Sequence, residues 1–216
     1  MEKTGMVYRH IAERLLKNRK EKFVEREIAR VLQVSPDTVS NAIAPLKRVG
    51  VASVYRRHVE ITDFKKLLVF WAVHRKFSRD IVYQTYYGAG AVSEIEDRLP
   101  NEIAYTCFSG YTKNFTNDAA DYSEVYVYAD AGALKEIKRR FPKKEFSVKV
   151  GYSNLIVLDP DQVLAKKIQS HELEHSSVSL PQLYVDLWNL NTWYAYEFIK
   201  KLEKRIDDMY EKAILE

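Results

Sequence analysis

The chain has 216 residues, 46% hydrophobic and 30% charged, enough for one large or two small domains with a buried core and unlike a collagenous or disordered chain. Its longest apolar run, Leu67–Val73, falls far short of the ~20 residues of a membrane-spanning helix, and the opening MEKTGMVYRH, charged from its second residue, does not read as a signal peptide. A single cysteine, Cys107, makes neither an internal disulfide nor a cysteine-rich zinc site, so a soluble, cytoplasmic protein with no membrane partner is expected.

The net charge of +4 is spread unevenly. Residues 1–80 hold 18 Lys+Arg against 9 Asp+Glu, a net of +9, and the other 136 hold 16 against 21, a net of −5. A basic first third on an acidic remainder points to a nucleic-acid-facing module joined to something else.

From Met6 to Lys76 the apolar residues recur with a helical period. Val7, Ile11, Leu15 and Leu16 form one stripe, and Phe23, Ile28, Ala29, Val31 and Leu32 a second. A third helix opens on Ser35-Pro36, a capping residue followed by proline at the first helical position. It runs through Val39, Ile43, Leu46 and Val49 and stops at Gly50. Pro45 lies inside it and is expected to kink it. Val51–Tyr55 and Val59–Ile61 are short β-prone runs around Arg56-Arg57-His58, and Asp63 is placed to cap a helix over Phe64–Lys76.

After Ser78 the period changes. Ile81–Tyr87, Ile103–Tyr111 and Glu124–Ala129 read as strands, Ala91–Leu99 and Ala133–Phe141 as helices, and Phe146–Val150 with Leu155–Leu158 as a hairpin. Asp159-Pro160 opens a helix to about His175, and Gln182–Leu187 is short and β-prone. A long helix closes the chain from about Thr192 to Ile214, with Phe198, Ile199, Leu202, Ile206, Met209 and Ala213 as its apolar stripe. The expected fold is α+β: a winged helix-turn-helix over residues 1–78, then a mixed α/β domain over 79–216 with a long C-terminal helix.

Phe23–Val51 fits a helix-turn-helix because Ile28, Leu32, Val34, Val39 and Ala42 supply the packing positions and Ala29 the small residue at the crossing. The helix Pro36–Val49 would then enter the major groove with its N-terminal end nearest the bases. Ser35, Thr38, Ser40 and Asn41 lie at that end, and Asn41 suits a bidentate pair with adenine. Lys47 and Arg48 suit phosphates, and Arg56, Arg57 and His58 at the wing tip suit phosphates or the minor groove. A winged helix used for protein contacts, or simply a three-helix bundle with a solvated basic face, is the bland alternative.

Catalytic patterns are sparse. His171-Glu172-Leu173-Glu174-His175 matches the zinc-hydrolase pattern H-E-x-x-H, with Glu197 as a conceivable third ligand, but its neighbours Gln169, Ser170, Glu174 and Ser176 are polar. It reads as a solvated helix end with His175 at the negative pole of the dipole. Gly88-Ala89-Gly90 reads as a tight turn. Glu124 and Asp130 are six residues apart, ~20 Å along a strand, too far to share a metal. Cys107 reads as core, and Asp186, a charge inside an apolar run, as a buried structural pair. No metal or cofactor is expected, and the chain is read as a non-enzyme; an enzyme acting on nucleic acid or nucleotides, centred on Asp130, Asp186 or His171/His175, is the alternative.

The winged helix, the mixed domain and the stretch Leu180-Pro181-Gln182-Leu183-Tyr184-Val185-Asp186-Leu187-Trp188 together resemble the AbiEi-type antitoxins of type IV toxin–antitoxin systems. The resemblance spans about Val7 to Lys204. It implies a repressor of its own operon, paired with a nucleotidyltransferase-like toxin that it opposes without forming a stable complex. The DNA-binding role carries over onto Thr38, Ser40, Asn41, Lys47, Arg48, Arg56 and Arg57, and no residue is assigned to the antitoxic function. The expected partner is double-stranded DNA of the gene's own promoter, with inverted repeats if the protein forms a homodimer.

Overall fold

The structure is a computed structural model and describes residues 3–19, 21–88, 91–116, 119–143 and 152–212. Four helices and a small β-ribbon form its first part. Helix α1 (Lys3–Lys17) buries Val7, Ile11 and Leu15, α2 (Glu25–Leu32) buries Ile28, Ala29 and Leu32, and α3 (Pro36–Arg48) buries Val39, Ala42, Ile43 and Leu46. Strands β1 (Ala52–Val54) and β2 (Val59–Ile61) pair antiparallel, and α4 (Phe64–His74) follows with the Asp63 side chain accepting from the Lys66 amide. Gly50 ends the α3 region at φ +72, a conformation that costs glycine little. Two stripe residues leave the expected pattern. Phe23 is not helical but makes a single antiparallel bridge to Val59 on the side of β2 away from β1, and Val31 is on the exposed side of α2.

A 3-10 turn (Phe77–Asp80) leads into the second part. Its elements are β3 (Ile81–Thr85), α5 (Val92–Asp97), β4 (Ile103–Thr106), α6 (Cys107–Asn114), β5 (Val125–Ala129), α7 (Ala131–Arg140), β6 (Leu155–Leu158), α8 (Gln162–Gln169), α9 (Leu180–Trp188) and α10 (Ala195–Lys212). The strands order as β3-β6-β5-β4, with β5 and β6 parallel and the outer pairs antiparallel. Alternate residues serve opposite faces. Tyr83, Val125, Val127, Ile103 and Val157 meet Ile95 of α5 and Ile137 of α7, while Ala104, Tyr128 and Leu158 join a core with α6 and α9. The fold is mixed α+β with a long C-terminal helix. No helix among the described residues is long and apolar enough to cross a membrane.

Several expected elements differ. The strand begun at Ile103 stops at Thr106, because Cys107 sits at φ +52 and turns the chain into α6. Gln182–Leu187 is not a strand but the body of α9, in which every residue from Pro181 to Leu187 is buried. A segment buried all round has no amphipathic period, so helix and strand look alike in its sequence. The helix expected to reach His175 stops at Gln169. Phe146–Val150 lies outside the described residues, and β6 finds its partners in β3 and β5. Pro45 does not end α3, though lacking an N–H it leaves the Asn41 carbonyl without its helical donor. Close packing of α6 on α9 centres on Gly110, where an added Cβ would lie 2.9 Å from Leu183 Cδ1 and 3.1 Å from the Tyr105 carbonyl oxygen. Gly110→Ala is therefore expected to destabilise by about 1–3 kcal/mol in urea unfolding, since backbone cannot yield as a side-chain end can.

The boundary placed at residue 78 falls in the 3-10 turn, yet one core of buried residues runs from α1 and α4 into α6, α8, α9 and α10. Charge crosses it as well. Arg9 of α1 donates through Nη2 to Asp161 Oδ1 at 2.7 Å, both side chains buried, and the same oxygen caps α8 by accepting from Val163 and Leu164 at 3.0 Å. Burial alone pushes the Asp161 carboxyl up, but Arg9 and the two amides outweigh it and hold it below the usual range. A lowered folded pKa gives stability that is full above the unfolded value near ~4 and is lost as pH falls through the folded value. Urea unfolding from pH 7 to pH 3 should show the wild type's advantage over Asp161→Asn shrinking below about pH 4. An advantage independent of pH would refute the ion-pair account.

Candidate nucleic-acid interface

The α2–α3 turn is built by local rules. Gln33 takes the left-handed region at φ 55, and the Val34 amide returns to the Ala29 carbonyl. Ser35 Oγ then accepts from the Thr38 amide at 3.2 Å and shares a 2.9 Å hydrogen bond with Thr38 Oγ1. The Tyr8 hydroxyl donates to the Ala42 carbonyl at 3.0 Å, fastening α3 to α1, and burial pushes that phenol up to about 12.

With Val39, Ala42, Ile43 and Leu46 inside, α3 turns Asp37, Ser40, Asn41, Ala44, Lys47 and Arg48 to its exposed side. Ser40, Asn41, Lys47 and Arg48 therefore share one face. Ser35 and Thr38 differ: their hydroxyls are engaged with each other at the cap, and Thr38 is half-buried. Asp37, absent from the sequence reading, adds an acceptor of the kind that suits a cytosine amino group.

The wing tip divides in the same way. Arg56 and Arg57 are exposed and neither has an acidic partner among the described residues. His58 is half-buried, stacks on Tyr55 with ring centroids 4.7 Å apart, and bonds Glu60 Oε1 at 2.9 Å. Lys22 reaches the same carboxylate oxygen at 3.3 Å, and His58 followed by Lys22 holds Glu60 below its usual range. His58 thus shapes the tip that presents the two arginines.

No family model, curated protein or solved structure matches the chain. The chemistry of the interface rests on its own residues.

Sequence reading missed Arg26 and Arg30, which are exposed on α2 and without acidic partners among the described residues. Their signal was positional, since they lie off the buried face made by Ile28, Ala29 and Leu32. In a docked helix-turn-helix the first helix crosses the backbone, where such cations meet phosphates.

The catalytic candidates disperse. His171 and His175 take left-handed backbone at φ 54 and φ 52 beyond the end of α8, so the H-E-x-x-H segment is not on a helix and lacks the shared helical face its chemistry needs. Among the described residues no three His, Cys, Asp or Glu side chains converge in a way that could hold a metal ion. Cys107 is fully buried, and burial followed by Asp186 pushes its thiol well up. Asp130 caps α7 by accepting from the Ala133 amide at 2.9 Å. Glu124 accepts from the Tyr194 hydroxyl. Of the glycine turn only Gly88 is described. Asp186 is wholly buried and accepts from Arg75 Nε at 3.1 Å, Thr106 Oγ1 at 2.8 Å, Tyr128 OH at 2.9 Å and Gln182 Nε2 at 2.7 Å. Its lone pairs are used, as a structural pair requires.

Proposed function

We propose that the protein is a sequence-specific double-stranded-DNA-binding regulator that represses its own promoter, as an AbiEi-type antitoxin would. The observation that carries this reading is one winged-helix unit whose α3 is apolar inside and polar or basic outside, beside a wing tip with two arginines that have no acidic partner among the described residues. Ser40 and Asn41 reach base edges, while Lys47, Arg48, Arg56 and Arg57, with Arg26 and Arg30, hold phosphates or the minor groove. The second part acts as the effector module opposing a nucleotidyltransferase-like toxin, and a homodimer would read inverted repeats.

Fluorescence anisotropy with DNA from upstream of the gene, against a scrambled duplex across salt, tests the reading. Wild type should prefer the upstream duplex, and Asn41→Ala should cut that preference by about 1–3 kcal/mol, roughly 5- to 150-fold. Equal, weak binding of wild type to both duplexes would overturn it.

A further inference from the structure

A cleft of about 420 Å³ opens between α1, the segment after α8 and the first turn of α9, a size within the ~300–1,000 Å³ of small-molecule sites. It joins the two parts of the molecule, since α1 belongs to the first and α9 to the second. Its walls are largely apolar, with Leu16 of α1, Phe115, Leu164 of α8 and Leu173 among them. Three of its polar residues each hold one buried atom without a hydrogen-bond partner among the described residues: Arg9 Nη1, Ser179 Oγ and Gln182 Oε1. Arg9 is 3% exposed and Gln182 0%. Buried atoms of this kind are uncommon, because each gives up water and gains no bond in return.

The other bonds of these residues fix what each spare atom can do. Asp161 takes Arg9 Nη2 on Oδ1, and its Oδ2 is itself unpartnered, so that carboxylate does not occupy Nη1. Gln182 Nε2 donates to Asp186 Oδ1 at 2.7 Å. A carboxylate only accepts, which decides the end of the amide that is nitrogen and leaves Oε1 as an acceptor. Ser179 stands where a hydroxyl ordinarily caps α9, yet it makes no cap bond. Ser179 and Gln182, three residues apart, share one side of that first turn, and α1 packs on α9. A guanidinium nitrogen, a hydroxyl and the positive pole of a helix suit a carboxylate, whereas the Gln182 oxygen needs a donor. The charges around the cleft balance, with Arg9, Lys17 and Lys167 against Glu13, Glu172 and Glu174. A zwitterion with an apolar side chain meets all of these at once, and a simple anion does not.

We propose that this cleft binds a free apolar α-amino acid, with its carboxylate on Arg9 and Ser179, its ammonium on Gln182 and its side chain against Leu16, Phe115 and Leu164. The inference does not rest on duplex reading by α3. Its residues lie outside α3 and the wing, so either can fail alone.

Calorimetric titration of the full chain with L-leucine, L-methionine and L-phenylalanine tests it, followed by two analogues of the tightest binder. One analogue lacks the amino group and the other carries an amide in place of the carboxylate. Saturable binding is expected for at least one amino acid, and each analogue should bind roughly tenfold more weakly or worse, the loss of one charge-assisted hydrogen bond. Ser179→Ala should weaken the amino acid roughly tenfold and leave the midpoint of urea unfolding unchanged, because the hydroxyl makes no cap bond. Arg9→Lys keeps a cation for Asp161 but loses the second nitrogen, so the preference for the amino acid over its amide should shrink. Ser179→Ala carries the test alone if Arg9→Lys does not fold. No saturable binding of the three amino acids at millimolar concentration, equal binding of the amino acid and either analogue, or binding indifferent to Ser179→Ala overturns the proposal.

Discussion

Asp186→Ala is expected to destabilise the protein by about 3–5 kcal/mol, the cost of breaking a buried ion pair from one side. The side chain is 0% exposed and serves four donors from four separate stretches of chain. Its removal strands Arg75, whose guanidinium is itself buried. Burial works against the Arg75 charge, but Tyr128, Asp186 and Asp80 outweigh it and hold the pKa above the ordinary value. A guanidinium is not deprotonated in a protein, so Arg75 stays a cation when Asp186 is gone, with Asp80 as its remaining carboxylate. The Tyr128 hydroxyl, which accepts from Arg75 Nη2 at 2.6 Å, loses the acceptor for its own proton, and the Thr106 and Gln182 donors are orphaned with it. Against a total stability of ~5–15 kcal/mol this is a large share. Urea unfolding of wild type, Asp186→Ala and Asp186→Asn measures it. Asparagine, which keeps shape and some acceptor capacity but not charge, should fall between the other two. A loss under about 1 kcal/mol for alanine would show that the network is dispensable.

The double variant Arg56→Ala/Arg57→Ala should leave unfolding within about 0.5 kcal/mol of wild type, because both residues are exposed and have no acidic partner among the described residues. The tip itself persists through the Tyr55 amide to the His58 carbonyl at 2.8 Å and through the Tyr55–His58 stack. DNA binding should respond strongly. Each lost phosphate contact lowers the slope of log K against log salt by about 0.9, so the slope should fall by about 2, with a roughly 10- to 100-fold loss of affinity at low salt. An unchanged slope would place the wing away from the DNA and leave α2 and α3 as the whole interface.

How much of this was legible in the sequence depended on how local the cause was. Ser35-Pro36, Asp63 and Gly50 announce helix ends through their own side chains or backbone freedom, and the structure places all three at ends. The basic candidates on α3 and the wing were legible because an apolar stripe defines its opposite face. Arg26 and Arg30 followed the same logic on α2 but carried no motif to attract attention. The nature of α9 was not legible, since a segment buried on every side loses the period that separates helix from strand. Nor was the turn at Cys107, where tertiary packing ends a β-prone run after Thr106.

The sequence by itself determined the helical first third, the cap of α3, the two-arginine wing and the α+β class, because these follow from spacing, capping and charge within a few residues. Only the tertiary structure decided that H-E-x-x-H leaves the helix, that Arg9 meets Asp161, that Asp186 gathers Arg75, Thr106, Tyr128 and Gln182, and that Glu124 accepts from Tyr194. Those partners are brought together by the packing of distant elements, and a long-range contact of that kind leaves no period or motif in the chain.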